Sequence, residues 1–483
     1  MFPFMAQGHI IPFLSLSLQL EQKGYQITFI NTPLNITNLR HILPPSSTIR
    51  LHEIPFNPSD HNLPPYAENT DSLPPNRIYD LLVASTALKP HYKTFLNELV
   101  TSGTPPRCVV ADFFFGWSAA VSHEFNIFHV IFSGSGGFGL ACYFSTWMNL
   151  PHKNINNSGE FSLEFSLPDF EEAGKLQVTQ LTPSLVAATG DDPWSKFQKK
   201  NLPAWGEADG FLFNTVEKLD TVGLSYFRRK FKRPVWAVGP INLHFNRIKS
   251  SKTSNEKWVE FLNSKPEGSV LYISFGSQNS ITASQMMELA KALDKSKRSF
   301  IWVMRPPLGF DVNAEFKPEE WVPEKFTEQM EDENRGLIIE KWAAQMEILS
   351  HKAVGGFMTH CGWNSVLEAL SCGVVMLGWP MAAEQFYNAK MMVEIVGVCV
   401  EVARGTSFEV WSEDLREKIE EVMSEDGDKG KEMRKKVGEI KRMIQEATRD
   451  DGSCRGSSVE AMEEFLQAPL MMMKMKEKEM NRC

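Results

Sequence analysis

The run from Trp342 to Gln385, WAAQMEILSHKAVGGFMTHCGWNSVLEALSCGVVMLGWPMAAEQ, collects side chains suited to a phosphorylated, hydroxyl-rich ligand. Trp342 offers a flat aromatic face on which a base can stack. The short apolar run Gly355–Met358 leads into His360-Cys361-Gly362-Trp363-Asn364-Ser365 and then into an apolar helical pattern. Backbone N–H groups at such a helix start, with His360, Asn364 and Ser365, make an anion site for a diphosphate. Glu368 can accept hydrogen bonds from both hydroxyls of a ribose, and the pair Glu384-Gln385 suits the hydroxyls of a sugar. Plainer readings stay open at single positions. Ser365-x-x-Glu368 also fits a capping box, and Trp342 or Trp363 taken alone fits a core aromatic.

A second constellation has to be assembled by the fold. His9 follows Gln7-Gly8 ahead of an apolar helical run that carries Pro12 in its first turn. A helix N-terminus disfavours imidazolium, so His9 is expected to be neutral and able to take a proton at about pH 7. Asp112 ends the predicted strand Arg107–Ala111, at the carboxyl edge where open α/β sheets bind ligands. A carboxylate there can hold an imidazole tautomer and stabilise the ring once it is charged. Taken alone, the two residues also fit a helix-capping histidine and a turn aspartate. The Phe113-Phe114-Phe115-Gly116-Trp117 run beside Asp112 would suit a planar apolar substrate, or ordinary core packing.

The elements that must position these groups are short β-rich runs alternating with amphipathic helical stretches, the pattern of a parallel α/β protein. Strands are predicted at Tyr25–Asn31, Arg107–Ala111, Ile127–Phe132, Gly210–Asn214 and Val235–Val238. A second set follows at Val270–Phe275, Ser299–Met304, Gly336–Glu340, Gly355–Met358 and Val374–Leu377. These make two doubly wound units, as 483 residues require. The polar stretch Asn242–Lys257 lacks periodicity and reads as the linker between them. Pro55–Asn76 and Pro151–Asp192 read as irregular, and the tail after Gln467 as disordered.

Composition narrows the partners. A net charge of −9 without a basic stripe argues against nucleic acid. The first 20 residues lack the basic start of a signal peptide, and Gln7 and His9 interrupt their apolar run. No apolar stretch long enough for a membrane helix is found. Seven scattered cysteines without a CxxC pair fit free thiols in a reducing compartment, so a cytoplasmic protein is expected. A Rossmann oxidoreductase would need a GxGxxG loop, whereas the first turn reads Ala6-Gln7-Gly8-His9-Ile10-Ile11.

The 44-residue block as a whole resembles the signature box of plant family 1 UDP-glycosyltransferases, with the HCGWNS core and the closing Glu-Gln intact. The likeness extends to FPFMAQGHIIPF near the start, VVAD at Val109–Asp112 and LYISFGS at Leu271–Ser277. It departs where the family has proline and this chain has Ala344 and Val375. Losing those rings loosens the backbone without removing a ligand group. The resemblance implies the GT-B fold: two Rossmann-like, doubly wound parallel-sheet domains facing across a cleft. It makes 1–241 an acceptor-binding domain with a truncated first strand and 242–257 a linker. Residues 258–445 become the UDP-sugar domain, 446–467 the final helices crossing back to the N-terminal domain, and 468–483 a disordered tail.

Carried onto this chain, the resemblance gives Trp342 the uracil, Gln345 and Glu368 the ribose, and Ser277, His360, Asn364 and Ser365 the phosphates. It gives Trp363, Glu384 and Gln385 the hexose, and places Ala343 and Gly362 in the same donor site. Gln at the last box position goes with glucose, so UDP-glucose is the expected donor. His9 and Asp112 fall where the family has its catalytic pair, with Ser133 or Ser135 as lesser candidates for sugar contact. The implied reaction is an inverting, single displacement without metal or cofactor, which makes a β-glucoside of a flavonoid, other phenol or triterpenoid. A monomer without membrane or nucleic-acid partners is expected. The alternative is a non-catalytic UDP-sugar-binding protein, should the shortened first strand have disabled the catalytic half.

Overall fold

The computed structural model describes residues 1–74, 77–153, 163–241, 257–310, 315–340, 343–452 and 454–480. They form two compact units. The first comprises Met1–Lys175, Ser184–Phe245 and Glu446–Cys483, and the second comprises Leu176–Pro183 and Asn246–Gln445. Leu176–Pro183 therefore groups with the second unit, although it falls inside the stretch 1–241 that the sequence reading gives wholly to the first. Its anchor is Arg404, whose Nη1 donates to Gln177 Oε1 and to Thr179 Oγ1, both at 2.5 Å. Of the predicted linker, only Lys257 lies among the described residues, and it begins the helix Lys257–Asn263.

In the first unit, β1 (Thr28–Asn31) pairs in parallel with β2 (Arg50–Glu53). Four further parallel strands, β3 (Cys108–Asp112), β4 (Phe128–Ser133), β7 (Gly210–Phe213) and β8 (Val235–Ala237), lie side by side in that order. Two three-residue strands, β5 (Glu164–Ser166) and β6 (Lys175–Gln177), fall between β4 and β7 in sequence, and Leu176 and Gln177 of β6 group with the second unit. Every residue of β4 and β7 is buried, as expected of aromatic and β-branched runs covered on both faces.

The chain start joins the two sets of strands. Phe2 N donates to Val110 O at 2.9 Å, Phe2 O accepts from Asp112 N at 3.0 Å, and Met1 O accepts from Ile30 N at 2.8 Å. A two-residue stub thus pairs with both β1 and β3. It is backed by Phe2, Phe4 and Met5, all buried in one cluster with Tyr92, Phe115 and Val121. Each such aromatic removes enough apolar surface from water to contribute roughly 1.5–3 kcal/mol. The neighbours that a truncated strand would strand unpaired are therefore paired at these positions, and the ground for a disabled catalytic half falls away.

The second unit is one six-stranded parallel sheet in the order β11-β10-β9-β12-β13-β14. Its strands are β9 (Val270–Ser274), β10 (Ser299–Met304), β11 (Gly336–Glu340), β12 (Val354–Thr359), β13 (Val375–Gly378) and β14 (Cys399–Glu401). The order reverses between β9 and β12, which are neighbours. Open α/β sheets bind ligands beyond the carboxyl ends of strands at such a switch point. β10 and β11 match their predicted limits, and the other predicted strands shift by a few residues at most. β2, β5, β6 and β14 are additions, three or four residues each, too short for a period-2 pattern to stand out.

The tail needs correction. A single helix runs from Ser457 to Met480, through Pro469. Residues 468–480 are therefore helical rather than disordered. Met, Lys and Glu all favour the helix, and Ala468 and Met472 pack against the core formed by Phe13, Phe132, Trp236 and Phe465. Among the described residues, no helix is long and apolar enough to cross a membrane.

Candidate active site

His9 is the third residue of the helix Gln7–Gln22, inside its first turn. The helix opens two residues ahead of His9, so Pro12 stands in its second turn instead of near its first position. Proline has no N–H to donate to Gly8 O, and there Gly134 packs instead. A Cβ added at Gly134 would stand 2.9 Å from Pro12 Cγ and 3.5 Å from Gly8 O. The Ser133–Gly136 loop thus needs a glycine where it crosses the start of the His9 helix. Ser133 Oγ accepts from Ser135 N at 3.1 Å, so one of these serines shapes the loop that carries the other.

β3 delivers Asp112 to the same place. His9 Nδ1 lies 2.8 Å from Asp112 Oδ2. That oxygen also accepts from Phe4 N at 3.1 Å, while Oδ1 accepts from Phe114 N at 3.0 Å. The carboxylate is 1% exposed and the imidazole 23%. A carboxylate held by two backbone amides is positioned to take a proton-bearing Nδ1, which fixes the tautomer and makes Nε2 the basic nitrogen. The rings of Phe4, Phe113 and Phe114 surround the imidazole at centroid distances of 5.3–5.6 Å.

The turn carrying those phenylalanines is pinned by the helix Pro193–Ala204 and the residue after it. Asn201 Nδ2 donates to Phe113 O at 3.0 Å and its Oδ1 accepts from Gly116 N at 2.9 Å, while Trp205 Nε1 also donates to Phe113 O at 2.7 Å. Neither Asn201 nor Trp205 was singled out from sequence, because nothing local marks a residue about 90 positions away as the partner of a turn.

In the second unit, the block beginning after Trp342 (itself outside the described residues) forms around the ends of β9 and β12. Gly362 is the N-cap of the helix Trp363–Cys372, with no side-chain cap. Ser365 is the third helical residue rather than the cap, which rules out the capping-box reading of Ser365 and Glu368. The helical ladder begins with Val366 N donating to Gly362 O at 3.0 Å, so the amides ahead of it project from the helix start.

Gln345 Nε2 donates to Ser365 Oγ at 3.0 Å and to Glu368 Oε2 at 2.7 Å. These three predicted residues meet directly, and the contacts hold the Glu368 carboxylate in place. Ala343 is buried beside them. Ala344 keeps φ −73°, the value a proline would impose, so its departure from the family pattern leaves the local backbone proline-like.

His360 is 9% exposed and sits between two glycines. A Cβ at Gly276 would stand 2.7 Å from its Cε1, and one at Gly362 would stand 2.4 Å from its Nε2. Its buried Nδ1 meets no hydrogen-bond partner among the described residues. Burial lowers its pKa from 6.5 to about 4, so the ring is neutral. Ser277 lies exposed in the turn after β9, one residue beyond Gly276. Trp363 is buried at the first helical position, and Asn364 beside it is half-buried.

At the far end of the block, Gln385 Oε1 accepts from Met381 N at 3.0 Å and Ala382 N at 2.9 Å. This locks the loop ahead of the helix Gln385–Lys390. Glu384 is the half-buried N-cap residue of that helix.

Residues 217–438 match the family model described as UDP-glucoronosyl and UDP-glucosyl transferase. UDP-glycosyltransferase 92A1 of Arabidopsis thaliana is 48% identical over 474 residues, 96% of each chain. Crocetin glucosyltransferase 3 of Crocus sativus is 42% identical, covering 82% of this chain and 84% of its own. UDP-glucose flavonoid 3-O-glucosyltransferase 7 of Fragaria ananassa is 33% identical across 93% and 92%. The crystal structure of Glycyrrhiza uralensis UGT73P12, complexed with glycyrrhetinic acid 3-O-monoglucuronide, superimposes with a TM-score of 0.80 at 27% identity, covering 100% of this chain and 97% of that one. Medicago truncatula UGT71G1, complexed with UDP-glucose, gives 0.76 at 25% identity, covering 97% of each.

Fold and sheet order define a GT-B protein of two Rossmann-like domains. The chain belongs to the plant family 1 UDP-glycosyltransferases. It is a UDP-glycosyltransferase enzyme.

Proposed function

We propose that the enzyme transfers glucose from UDP-glucose to a hydroxyl of a small apolar acceptor, a flavonoid, another phenol or a triterpenoid, with inversion. The observation that carries this reading is the 2.8 Å contact between His9 Nδ1 and the buried Asp112 carboxylate inside a phenylalanine wall. The acceptor O–H gives its proton to His9 Nε2 while its oxygen attacks the anomeric carbon. The bond from that carbon to the diphosphate breaks, and its electron pair leaves with UDP. Asp112 stabilises the imidazolium so formed, and the helix start at Gly362–Ser365 stabilises the diphosphate. One displacement turns an α-linked donor into a β-glucoside.

Glucose as the sugar is supported by Gln385 and by two relatives whose names specify glucosyl transfer. A planar or polycyclic apolar acceptor is supported by the aromatic surround of His9, by the flavonoid relative and by the glycyrrhetinic acid conjugate held by a structural neighbour. The reading assigns every charge in the step to a residue or amide of this chain and needs no metal or cofactor. It also makes the enzyme a cytoplasmic monomer, which the six free cysteines of the described residues support for a reducing compartment.

The test is mass spectrometry of products from the purified enzyme, UDP-glucose and a panel of phenols and triterpenoids, with and without EDTA. A hexose adduct on one acceptor class, unchanged by EDTA, is expected. Transfer only from another UDP-sugar, or activity lost with EDTA, would sink the corresponding part of the reading.

A further inference from the structure

Cys361 is a non-glycine residue with φ 61°, immediately ahead of the helix start that faces the diphosphate in the reading above. A left-handed backbone costs an ordinary residue about 1–2 kcal/mol and persists only where its surroundings over-determine it. Two side chains do so. Thr359 Oγ1 accepts from Cys361 N at 3.2 Å, and Asn388 Nδ2 donates to Cys361 O at 3.1 Å. Asn388 stands three residues beyond Gln385 on the helix Gln385–Lys390 and is fully buried.

The consequence lies in the peptide that Cys361 shares with Gly362. It is trans, so its C=O and N–H point in opposite directions. Pinning Cys361 O to the buried Asn388 therefore turns Gly362 N–H away from the interior, to the side where His360 packs within 2.4 Å of a Cβ position on Gly362. Asn388 Oδ1 is enclosed and meets no hydrogen-bond partner among the described residues. An unsatisfied buried acceptor is costly, and an apolar side chain of similar size would avoid it. The donated bond to Cys361 O is thus the feature that favours asparagine here.

We propose that Asn388 is a positioning residue of the donor site: it orients the Cys361–Gly362 peptide so that Gly362 N–H is presented to the diphosphate. The inference rests on the donor-site reading of the Trp342–Gln385 block. It also makes the helix Gln385–Lys390 a link between the sugar end of that block, where Gln385 holds the 381–382 loop, and its diphosphate end.

The role separates UDP from uridine, because only UDP carries the group the amide would face. Calorimetric titration of UDP and of uridine into wild type, Asn388→Ala and Thr359→Val provides the test. Losing one well-aimed bond to a charged group should weaken UDP about 10- to 100-fold in Asn388→Ala. Thr359→Val should show a smaller loss of the same kind, and uridine should be unchanged in both. Equal weakening of UDP and uridine, or binding of neither by both variants, would reduce Asn388 to a structural residue and overturn the proposal. So would unchanged UDP affinity. A wild type that bound no UDP would instead overturn the donor-site reading, and the proposal with it.

Discussion

His9 and His360 are the same side chain placed in two different physical settings, one in each unit. His9 has a carboxylate at 2.8 Å and a partly exposed ring. His360 forms no ion pair among the described residues, lies between two glycines and is driven neutral by burial. A paired imidazole can take up a proton and keep it through a transition state, which suits a base. An imidazole penalised for charge can only donate or accept a hydrogen bond, which suits a fixed contact to an anion. The chemistry assigned to each half follows from these surroundings and not from the residue type.

The sharpest break of that contrast is His9→Ala. Loss of a positioned base should lower kcat by roughly 10²–10⁴, while UDP affinity, measured by calorimetry, stays at the wild-type value. Asp112→Asn should cost less, since the imidazole survives and only its tautomer and its charged form lose support. Steady-state rates for the two variants check the order. A larger loss in Asp112→Asn would make the carboxylate the primary group, and near-full turnover in His9→Ala would remove the base assignment altogether.

The two halves also differed in how legible they were. The donor half is nearly contiguous, so residue type and order within 44 positions carried its chemistry, and its helix start follows directly from β12. The expected catalytic pair spans 103 positions; strand-end and helix-start placement left a cap and a turn residue open, and only the resemblance to the family singled out His9 and Asp112 together. What escaped were the residues that act through others. Asn201, Trp205 and Asn388 touch backbone carbonyls far away in sequence, and no local pattern marks a side chain for that task. Most strands were readable as buried runs of β-branched and aromatic residues, whereas β2, β5, β6 and β14 were too short, and β2, β5 and β6 too exposed, to stand out.

A second test sharpens the comparison through stability. His360 is held to about 4 and His129, buried in β4 with its Nε2 against Ser118 Oγ, to about 3, both mainly by desolvation. Between those values and the ordinary 6.5, the unfolded chain binds more protons than the folded one. Stability contributed by these rings is therefore present above about 6.5 and is lost as pH falls toward 4. Thermal melts from pH 7 down should show Tm dropping through this window. The drop should be shallower in His360→Asn and, separately, in His129→Gln. A wild-type Tm that stayed flat from about 6.5 to 4.5 would contradict burial as the cause of the neutral rings.

The smallest effect is expected at the C-terminus, where the structure replaces a disordered tail with helix. Ser458 Oγ donates to Gly239 O at 2.7 Å and Phe465 packs on Trp236 at 5.7 Å between ring centroids, so the helix is fastened to the first unit along β8. Ending the chain after Asp450 removes both contacts together with the buried Met462, and should destabilise strongly. Ending it after Gln467 removes the buried Pro469, the partly buried Ala468 and Met472 and the turns beyond them. Their apolar burial is worth about 1–2 kcal/mol, which corresponds to about 2–8 °C in Tm for a unit of this size. A disordered tail would contribute nothing, so an unchanged Tm after the shorter truncation would restore the original expectation. A measurable fall, smaller than that of the longer truncation, would show that helix propensity and modest apolar burial are enough to order a segment that has no hydrophobic period of its own.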